Sequence, residues 1–121
     1  MQHISTITKS SAVCTGVSYS IKRMTFGRRL ELIRRAGDLA KRLEFHSAGT
    51  SFEDQAERGI LTGEINKLYL NWALIEVRGL EIDGVPAKPE TLIDDGPEEL
   101  CQEIIEAVKA ECFLTGEERK N

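Results

Sequence analysis

Side chains able to carry out chemistry are few in this sequence and lie far apart. The candidates are two histidines and three cysteines: His3, His46, Cys14, Cys101 and Cys112. No C-x-x-C or H-E-x-x-H spacing joins them, whereas a zinc site needs about four ligands in a tetrahedral arrangement. An odd number of widely spaced cysteines also argues against a disulfide framework. We therefore expect no metal and no cofactor, and we interpret the cysteines as small buried side chains.

Motifs for catalysis and for phosphate binding are missing as well. The sequence contains no G-x-x-x-x-G-K-S/T, G-x-G-x-x-G or G-x-S-x-G pattern, so neither a phosphate-binding loop nor a nucleophile elbow is indicated. Glu99, Glu103 and Glu106 would share one helix face and could bind a cation or a basic partner, but acids at this spacing more often face solvent. Because no nucleophile is paired with a base, we expect that the protein is not an enzyme.

Charge is distributed unevenly along the chain. Residues 1–42 hold nine Lys and Arg against two acids, whereas residues 43–121 hold seven against eighteen acids, so the two parts carry net charges of +7 and −11. Such asymmetry can mark nucleic-acid contact or head-to-tail self-association, and it also fits a basic helix that faces solvent and packs near acidic helices, which is the simpler interpretation. An isoelectric point of about 5.3 makes a nucleic acid the less favoured partner, although a basic helix over residues 26–46 could contact phosphates or an acidic protein. The candidate contact residues on that helix are Arg28, Arg29, Arg34 and Arg35.

The N-terminal segment differs in character from the rest. Residues 1–16 are rich in Ser and Thr and show little pattern, so we predict a flexible arm. Val17, Tyr19 and Ile21 then alternate with polar residues, which predicts a half-buried strand. Residues 17–121 are interpreted as a single helical domain that ends in a charged tail. A secretory signal and a transmembrane helix are not expected, because no basic segment precedes an apolar one and no apolar run reaches the necessary length.

Apolar spacing predicts three main helices, over residues 26–46, 52–78 and 97–113. Thr25 is a suitable N-cap for the first helix, and Gly49 is suited to a left-handed residue beyond its end. The apolar stripe predicted for this helix consists of Phe26, Leu30, Ile33, Ala36, Ala40 and Leu43.

The second helix carries a heptad-like seam, which is our candidate both for the core and for a partner-binding surface. The seam consists of Leu61, Ile65, Leu68, Trp72 and Ile75, with Tyr69 beside it. Burial of the seam would stabilise the domain, whereas any exposed part of it would bind a partner protein or a second copy of the chain. The candidate partner-binding residues are Leu61, Ile65, Leu68, Tyr69 and Trp72.

The segment between the second and third helices combines extended and turn signals. Residues 80–86 are predicted to form a short extended piece that turns at Asp83-Gly84, and residues 89–93 could form one helical turn. Together the patterns predict an α+β fold that is predominantly helical, with an N-terminal strand, three main helices and this short extended segment.

Several short segments of the second half of the chain occur together in one known family: 64–72 (EINKLYLNW), 77–84 (VRGLEIDG), Leu92-Ile93, 96–100 (GPEEL) and 117–121 (EERKN). Through these segments, residues from about 60 to 121 resemble the tail assembly chaperones of long-tailed phages and prophages. The resemblance implies a protein without enzymatic activity that binds the helical tape measure protein and the tail tube subunits during tail assembly, in the cytoplasm of a bacterial host cell and without a membrane. The alternative left open by the residues is a small nucleic-acid-binding protein that uses the basic helix 26–46.

Overall fold

A computed structural model describes residues 1–112 of the chain and contains four helices, a three-stranded sheet and a two-stranded hairpin. This composition confirms the predicted class, an α+β fold that is predominantly helical. The predicted charged tail, and residue 113 at the end of the third predicted helix, lie outside the described residues. In chain order the elements are β1 (Thr6–Ser10), β2 (Ser18–Lys22), α1 (Phe26–Ser47), α2 (Phe52–Ala73), β3 (Leu74–Arg78), β4 (Glu81–Ile82), β5 (Val85–Pro86), α3 (Pro89–Asp95) and α4 (Glu98–Cys112).

The three-stranded sheet is antiparallel and has the order β1-β2-β3. In the central strand, Tyr19 and Ile21 are buried on one face, which confirms the alternation that predicted β2. The prediction of a flexible arm over residues 1–16 is wrong for Thr6–Ser10, because these residues pair with β2, with Ile7 opposite Ile21. The stability of β1 comes from main-chain hydrogen bonds to its neighbour, and a weak apolar pattern does not reveal such a contact.

The second predicted helix ends earlier than expected. The helix predicted over residues 52–78 reaches only Ala73, and the chain then passes directly into β3. The backbone of Leu74 is already extended, with a ψ of 121°. The prediction is wrong beyond residue 73 because β3 pairs with β2, and this tertiary pairing overrides the helical spacing. Ile75 therefore leaves the predicted seam and is 41% exposed.

The core is one cluster that joins the sheet to α2, α3 and α4. Beside it, β4 and β5 form a hairpin that turns at Asp83 and Gly84, both at positive φ, which confirms the extended segment predicted at residues 80–86. The single helical turn predicted over residues 89–93 is the longer helix α3. The residues that α4 contributes to the core are Leu100, Ile104, Ile105, Val108 and Cys112.

The first part of the apolar stripe predicted for α1 does not lie in the core. Phe26, Leu30 and Ile33 are 85%, 51% and 63% exposed. The buried residue of this helix is Leu32, which is not a member of the stripe. Helical spacing identified an apolar face, but α1 packs mainly along α2, so a different face is covered.

Gly49 does not provide the left-handed residue predicted beyond the end of α1. The C-cap residue Ala48 has a right-handed conformation, with a φ of −87°, and the φ of Gly49 is not positive. Instead, a Cβ at Gly49 would collide with the side chain of Asp54. Glycine is therefore needed here because the loop after α1 lies close against the first turn of α2.

Substitution of Trp72 tests its assignment to the core. Trp72 is 2% exposed, and its indole N–H has no hydrogen-bond acceptor within residues 1–112. We expect Trp72→Ala to lower the free energy of unfolding by about 3–5 kcal/mol, because it leaves a large cavity. Trp72→Phe should cost much less, since it keeps most of the ring packing and removes the unpaired N–H. Urea unfolding followed by circular dichroism measures both changes, and an alanine variant as stable as the parent would show that Trp72 is not a core residue.

Gly79 and Gly84 both have a positive φ, +82° and +79°, but their surroundings differ. A Cβ at Gly79 would collide with the backbone carbonyl of Gly16, whereas a Cβ at Gly84 would meet no atom within 4 Å. Gly84→Ala should therefore cost only the backbone strain, about 1–2 kcal/mol. Gly79→Ala should cost more, because the loop before β2 must also move. Thermal unfolding compares the two variants, and equal losses of stability would show that the close approach of Gly79 to Gly16 is unimportant.

Candidate partner-binding groove

α1 and α2 form a helical hairpin that is fastened at its loop. Each helix has 22 residues, which corresponds to a length of about 33 Å, and residues 48–51 join them. The guanidinium Nη1 of Arg58 donates hydrogen bonds to three backbone oxygens around the end of α1, at 2.9 to 3.3 Å. These bonds satisfy carbonyl groups that a helix C-terminus leaves without partners. The acceptors are the oxygens of His46, Ser47 and Gly49.

The first turn of α2 is organised by Asp54. Its backbone N–H donates to Ser51 Oγ at 3.0 Å, so Ser51 is the N-cap. Its carboxylate accepts hydrogen bonds from His46 Nδ1 and from Ser51 Oγ, both at 2.8 Å. These bonds, that from His46 foremost, hold the pKa of Asp54 below its usual range. The three side chains do not form a catalytic triad, because the hydroxyl is bonded to the carboxylate rather than to the imidazole.

An open groove of about 570 Å³ lies between this hairpin and the C-terminal part of α4. Its volume is in the range of protein ligand sites. α1 contributes Ala36, Ala40 and Leu43, and α2 contributes Ile65 and Tyr69, so the walls are mainly apolar. The polar lining residues are Glu44, Ser47, Thr62, Asn66 and Lys109.

The groove lining carries few charged side chains. Among the lining residues, Glu44 of α1 carries a negative charge and Lys109 of α4 a positive one. Burial raises the pKa of Tyr69, so its phenol is neutral at pH 7. An apolar floor with one charge of each sign suits an amphipathic segment of a protein better than a phosphate or a metal ion.

The five residues predicted to bind a partner are divided by the fold. Ile65 and Tyr69 line the groove, and Tyr69, which is 9% exposed, also belongs to the core. Leu68 is half-buried against the core. Leu61 and Trp72 are 0% and 2% exposed, so as contact residues for a partner these two predictions are wrong. The reason is that packing within the chain covers this side of α2, and a spacing pattern does not tell an internal contact from an external one.

Several residues that line the groove were not among the partner-binding residues predicted from the sequence. Ala36, Ala40 and Leu43 were assigned to the apolar stripe of α1, and in the structure they line an open surface. A signal was present, since small and apolar side chains recur here at helical spacing. Lys109 had no such signal, because α4 is far along the chain and only tertiary packing brings this residue beside α1.

Two of the four arginines predicted to contact phosphate bond to backbone oxygens of the same chain. Arg28 Nη1 donates to the backbone oxygens of Ser5 and Arg23 at 2.6 and 2.9 Å. Arg29 Nη1 donates to the backbone oxygen of Cys112 at 2.9 Å. These bonds fasten the start of α1 to the segments that flank the β1–β2 pair and to the end of α4.

The other two arginines also give little support to a phosphate-binding surface. Arg35 forms an i, i+4 ion pair with Glu31 at 3.1 Å. Arg34 is exposed and is the remaining candidate. Binding to a nucleic acid generally requires a stripe of cations along the phosphates rather than one.

Acids of α4 fasten the N-terminal part of the chain. The carboxylate of Glu103 accepts hydrogen bonds from Ser11 Oγ and from the backbone N–H of Ala12, both at 2.6 Å. Glu111 accepts one from the backbone N–H of Met24 at 2.9 Å. Glu103 therefore holds the segment before β2, which differs from both the cation-binding and the solvent-facing interpretations of its sequence pattern.

The side chains able to perform chemistry remain apart. Within residues 1–112, no three His, Cys, Asp or Glu side chains are placed to hold a metal ion. Burial raises the pKa of Cys112 to about 11, so its thiol is protonated at neutral pH and is not a ready nucleophile. Burial also raises the pKa of Cys101.

No family model, curated protein or solved structure matches this chain. In the part of the chain that the structure describes, none of the helices combines the length and the apolar character that crossing a bilayer requires. A functional assignment therefore begins from the groove and from the residues around it.

Glu103→Ala should release the segment before β2. Because the carboxylate accepts from both Ser11 and Ala12, we expect hydrogen exchange at the Ala12 amide to accelerate by at least about tenfold, as follows from losing a hydrogen bond to a charged group. Glu106→Ala, at an exposed position of the same helix, is the matched control and should leave this exchange unchanged. If the Ala12 amide of Glu103→Ala exchanges at the same rate as in the parent, the Glu103 contact does not hold the segment.

Proposed function

We propose that this chain is a non-enzymatic assembly chaperone of phage tails, which holds an amphipathic helix of the tape measure protein in the groove between α1, α2 and α4. The observation that carries the proposal is the open and mainly apolar groove, with Ala36, Ala40, Leu43 and Ile65 in its walls. The resemblance of residues 60–121 to tail assembly chaperones supplies the kind of partner.

A helix is the occupant that suits these walls. Ala36, Ala40 and Leu43 recur at i, i+4 and i+7 along α1, and the two alanines let a neighbouring helix approach closely. Ile65 and Tyr69 form the facing wall at i, i+4 along α2. Apolar side chains spaced by three and four residues on a partner helix would enter between these two rows.

Glu44 and Lys109 would select the direction of the bound helix. They lie on different helices of the groove lining, α1 and α4, and so provide two places of opposite charge. A partner with a basic residue at the first place and an acidic residue at the second is favoured in one orientation. Such complementarity mainly determines specificity and association rate, while the apolar contact supplies most of the affinity.

In this proposal the protein works in the cytoplasm of a bacterial host and binds the tape measure protein and the tail tube subunits. The net charge of −4 would help to keep a complex with an apolar, helical partner in solution. Nucleic-acid binding by helix 26–46 receives less support, because Arg28, Arg29 and Arg35 already have partners within the chain.

The proposal predicts that a gene for a tape measure protein lies beside the gene for this chain. The test is calorimetric titration with overlapping peptides from that gene's product. Thr62 lines the groove at an exposed position, so Thr62→Trp should fill the groove without disturbing the core. We expect the affinity for the binding peptide to fall by at least about tenfold. Ala56→Trp is the matched control, at an exposed position of α2 outside the groove lining, and should bind like the parent.

Two outcomes would contradict different parts of the proposal. Equal binding of the peptide by the parent and by Thr62→Trp would show that the groove is not the binding site. Failure of every tape measure peptide and of the tube subunits to bind would overturn the function itself. Thermal unfolding of both variants provides the control for folding, because each substitution lies on the surface and should leave the melting temperature unchanged.

A further inference from the structure

α1 carries a second apolar surface, on a face that the core leaves uncovered. Phe26, Leu30 and Ile33 are 85%, 51% and 63% exposed. The alternating spacing of four and three residues continues toward the end of the helix. This is the spacing found in helices that pack lengthwise on each other. This outer seam consists of Phe26, Leu30, Ile33, Gly37, Ala40 and Glu44.

The size of the side chains in the outer seam changes along the helix. Its first half presents large apolar side chains, and its second half presents Gly37 and Ala40, followed by Glu44. A Cβ at Gly37 would meet no atom within 4 Å, so this part of the helix surface is open. The best-fitting helix would therefore place small residues opposite the first half and large residues opposite the second.

We propose that a second copy of this chain packs on the outer seam, with the two α1 helices antiparallel and related by a two-fold axis. In this arrangement Ile33 of one copy lies opposite Gly37 of the other, and Leu30 lies opposite Ala40. Two-fold symmetry repeats each pairing, so large residues meet small ones along the seam. A parallel arrangement would instead set Phe26 against Phe26 and leave the small residues facing each other.

Charge favours the same orientation. In the antiparallel pair, Glu44 of one copy lies opposite Phe26 of the other, at the N-terminus of that helix. This end carries the positive pole of the helix dipole and has no acidic residue in its first turn. Arg28 and Arg29 lie in the first turn as well. Their guanidinium groups bond to backbone oxygens of their own chain and keep a positive charge near this end of the helix. In a parallel pair the two Glu44 side chains would repel each other.

This dimer goes beyond the proposed function and does not depend on it. Ala40 and Glu44 contribute to the outer seam and also to the groove lining, so a second copy would narrow access to the groove. A contact between two helices of this length is a small interface, and we expect a reversible dimer that exchanges with the monomer.

Sedimentation velocity over a range of concentrations tests the dimer. The parent should form a growing fraction of a species near 27 kDa, twice the chain mass of 13.5 kDa. Gly37→Leu places a large side chain where Ile33 of the other copy must fit, and should weaken the dimer by at least about tenfold. Gly59→Leu is the matched control, since Gly59 is an equally open helical glycine on α2. Both substitutions favour helix formation, so both variants should fold.

Cysteine pairs test the orientation, in a protein whose Cys14 and Cys101 are replaced by serine. Leu30→Cys combined with Ala40→Cys should give a disulfide-linked dimer on oxidation, because these positions face each other in the antiparallel pair. Leu30→Cys alone should not, since the two copies of position 30 lie ten residues apart along the helices, about 15 Å. The same separation prevents a bond between the two cysteines of one helix.

Three results would overturn the proposal. The first is a parent protein that stays monomeric at every concentration. The second is a dimer that Gly37→Leu leaves intact, because the interface then lies elsewhere. The third is efficient crosslinking through Leu30→Cys alone, because the helices are then parallel. All of these measurements use the chain without a tail protein, so they are decided separately from the test of the groove.

Discussion

The direct passage from α2 into β3 is the constraint on which the rest of the structure depends. Ala73 and Leu74, on either side of this junction, are 0% and 6% exposed, and no loop separates the helix from the strand. Trp72 is buried next to the junction, with Lys22 Nζ of β2 5.4 Å from the centre of its ring. Because β3 pairs with β2, the sheet fixes the position of the C-terminal end of α2, and α2 in turn positions α1 and one wall of the groove.

The two long amphipathic helices that flank α2 are held in different ways. α4 buries five residues, whereas α1 buries only Leu32, packs along α2 and is held near its ends by hydrogen bonds from arginines. Arg29 bonds to the last residue of α4, and Arg58 bonds to the backbone oxygens at the end of α1. A helix positioned by polar contacts at its ends can leave an apolar face uncovered, and such faces are where proteins commonly bind one another.

Several elements were predictable because their signals are local. The start of α1 after Thr25 depends on a capping side chain, and the turn at Asp83-Gly84 depends on residues that tolerate positive φ. β1 and β3 were not predicted, because each is stabilised by pairing with β2. Ile75 illustrates the difficulty, since its spacing from Trp72 fits a helix equally well. Of the residues that line the groove, only Ile65 and Tyr69 were among the predicted partner-binding residues, because the other sides of the groove come from α1 and α4.

The sequence by itself determined which residues can share a face, and hence the predominance of helices and the alternation of β2. Only the tertiary structure decided which of those faces are covered. Leu61 and Trp72 belong to a regular seam of α2 and are buried, while Phe26 and Ile33 belong to an equally regular stripe of α1 and are exposed. The physical reason is that burial requires a second surface. The position of that surface depends on strand pairing and helix packing between residues far apart in the chain.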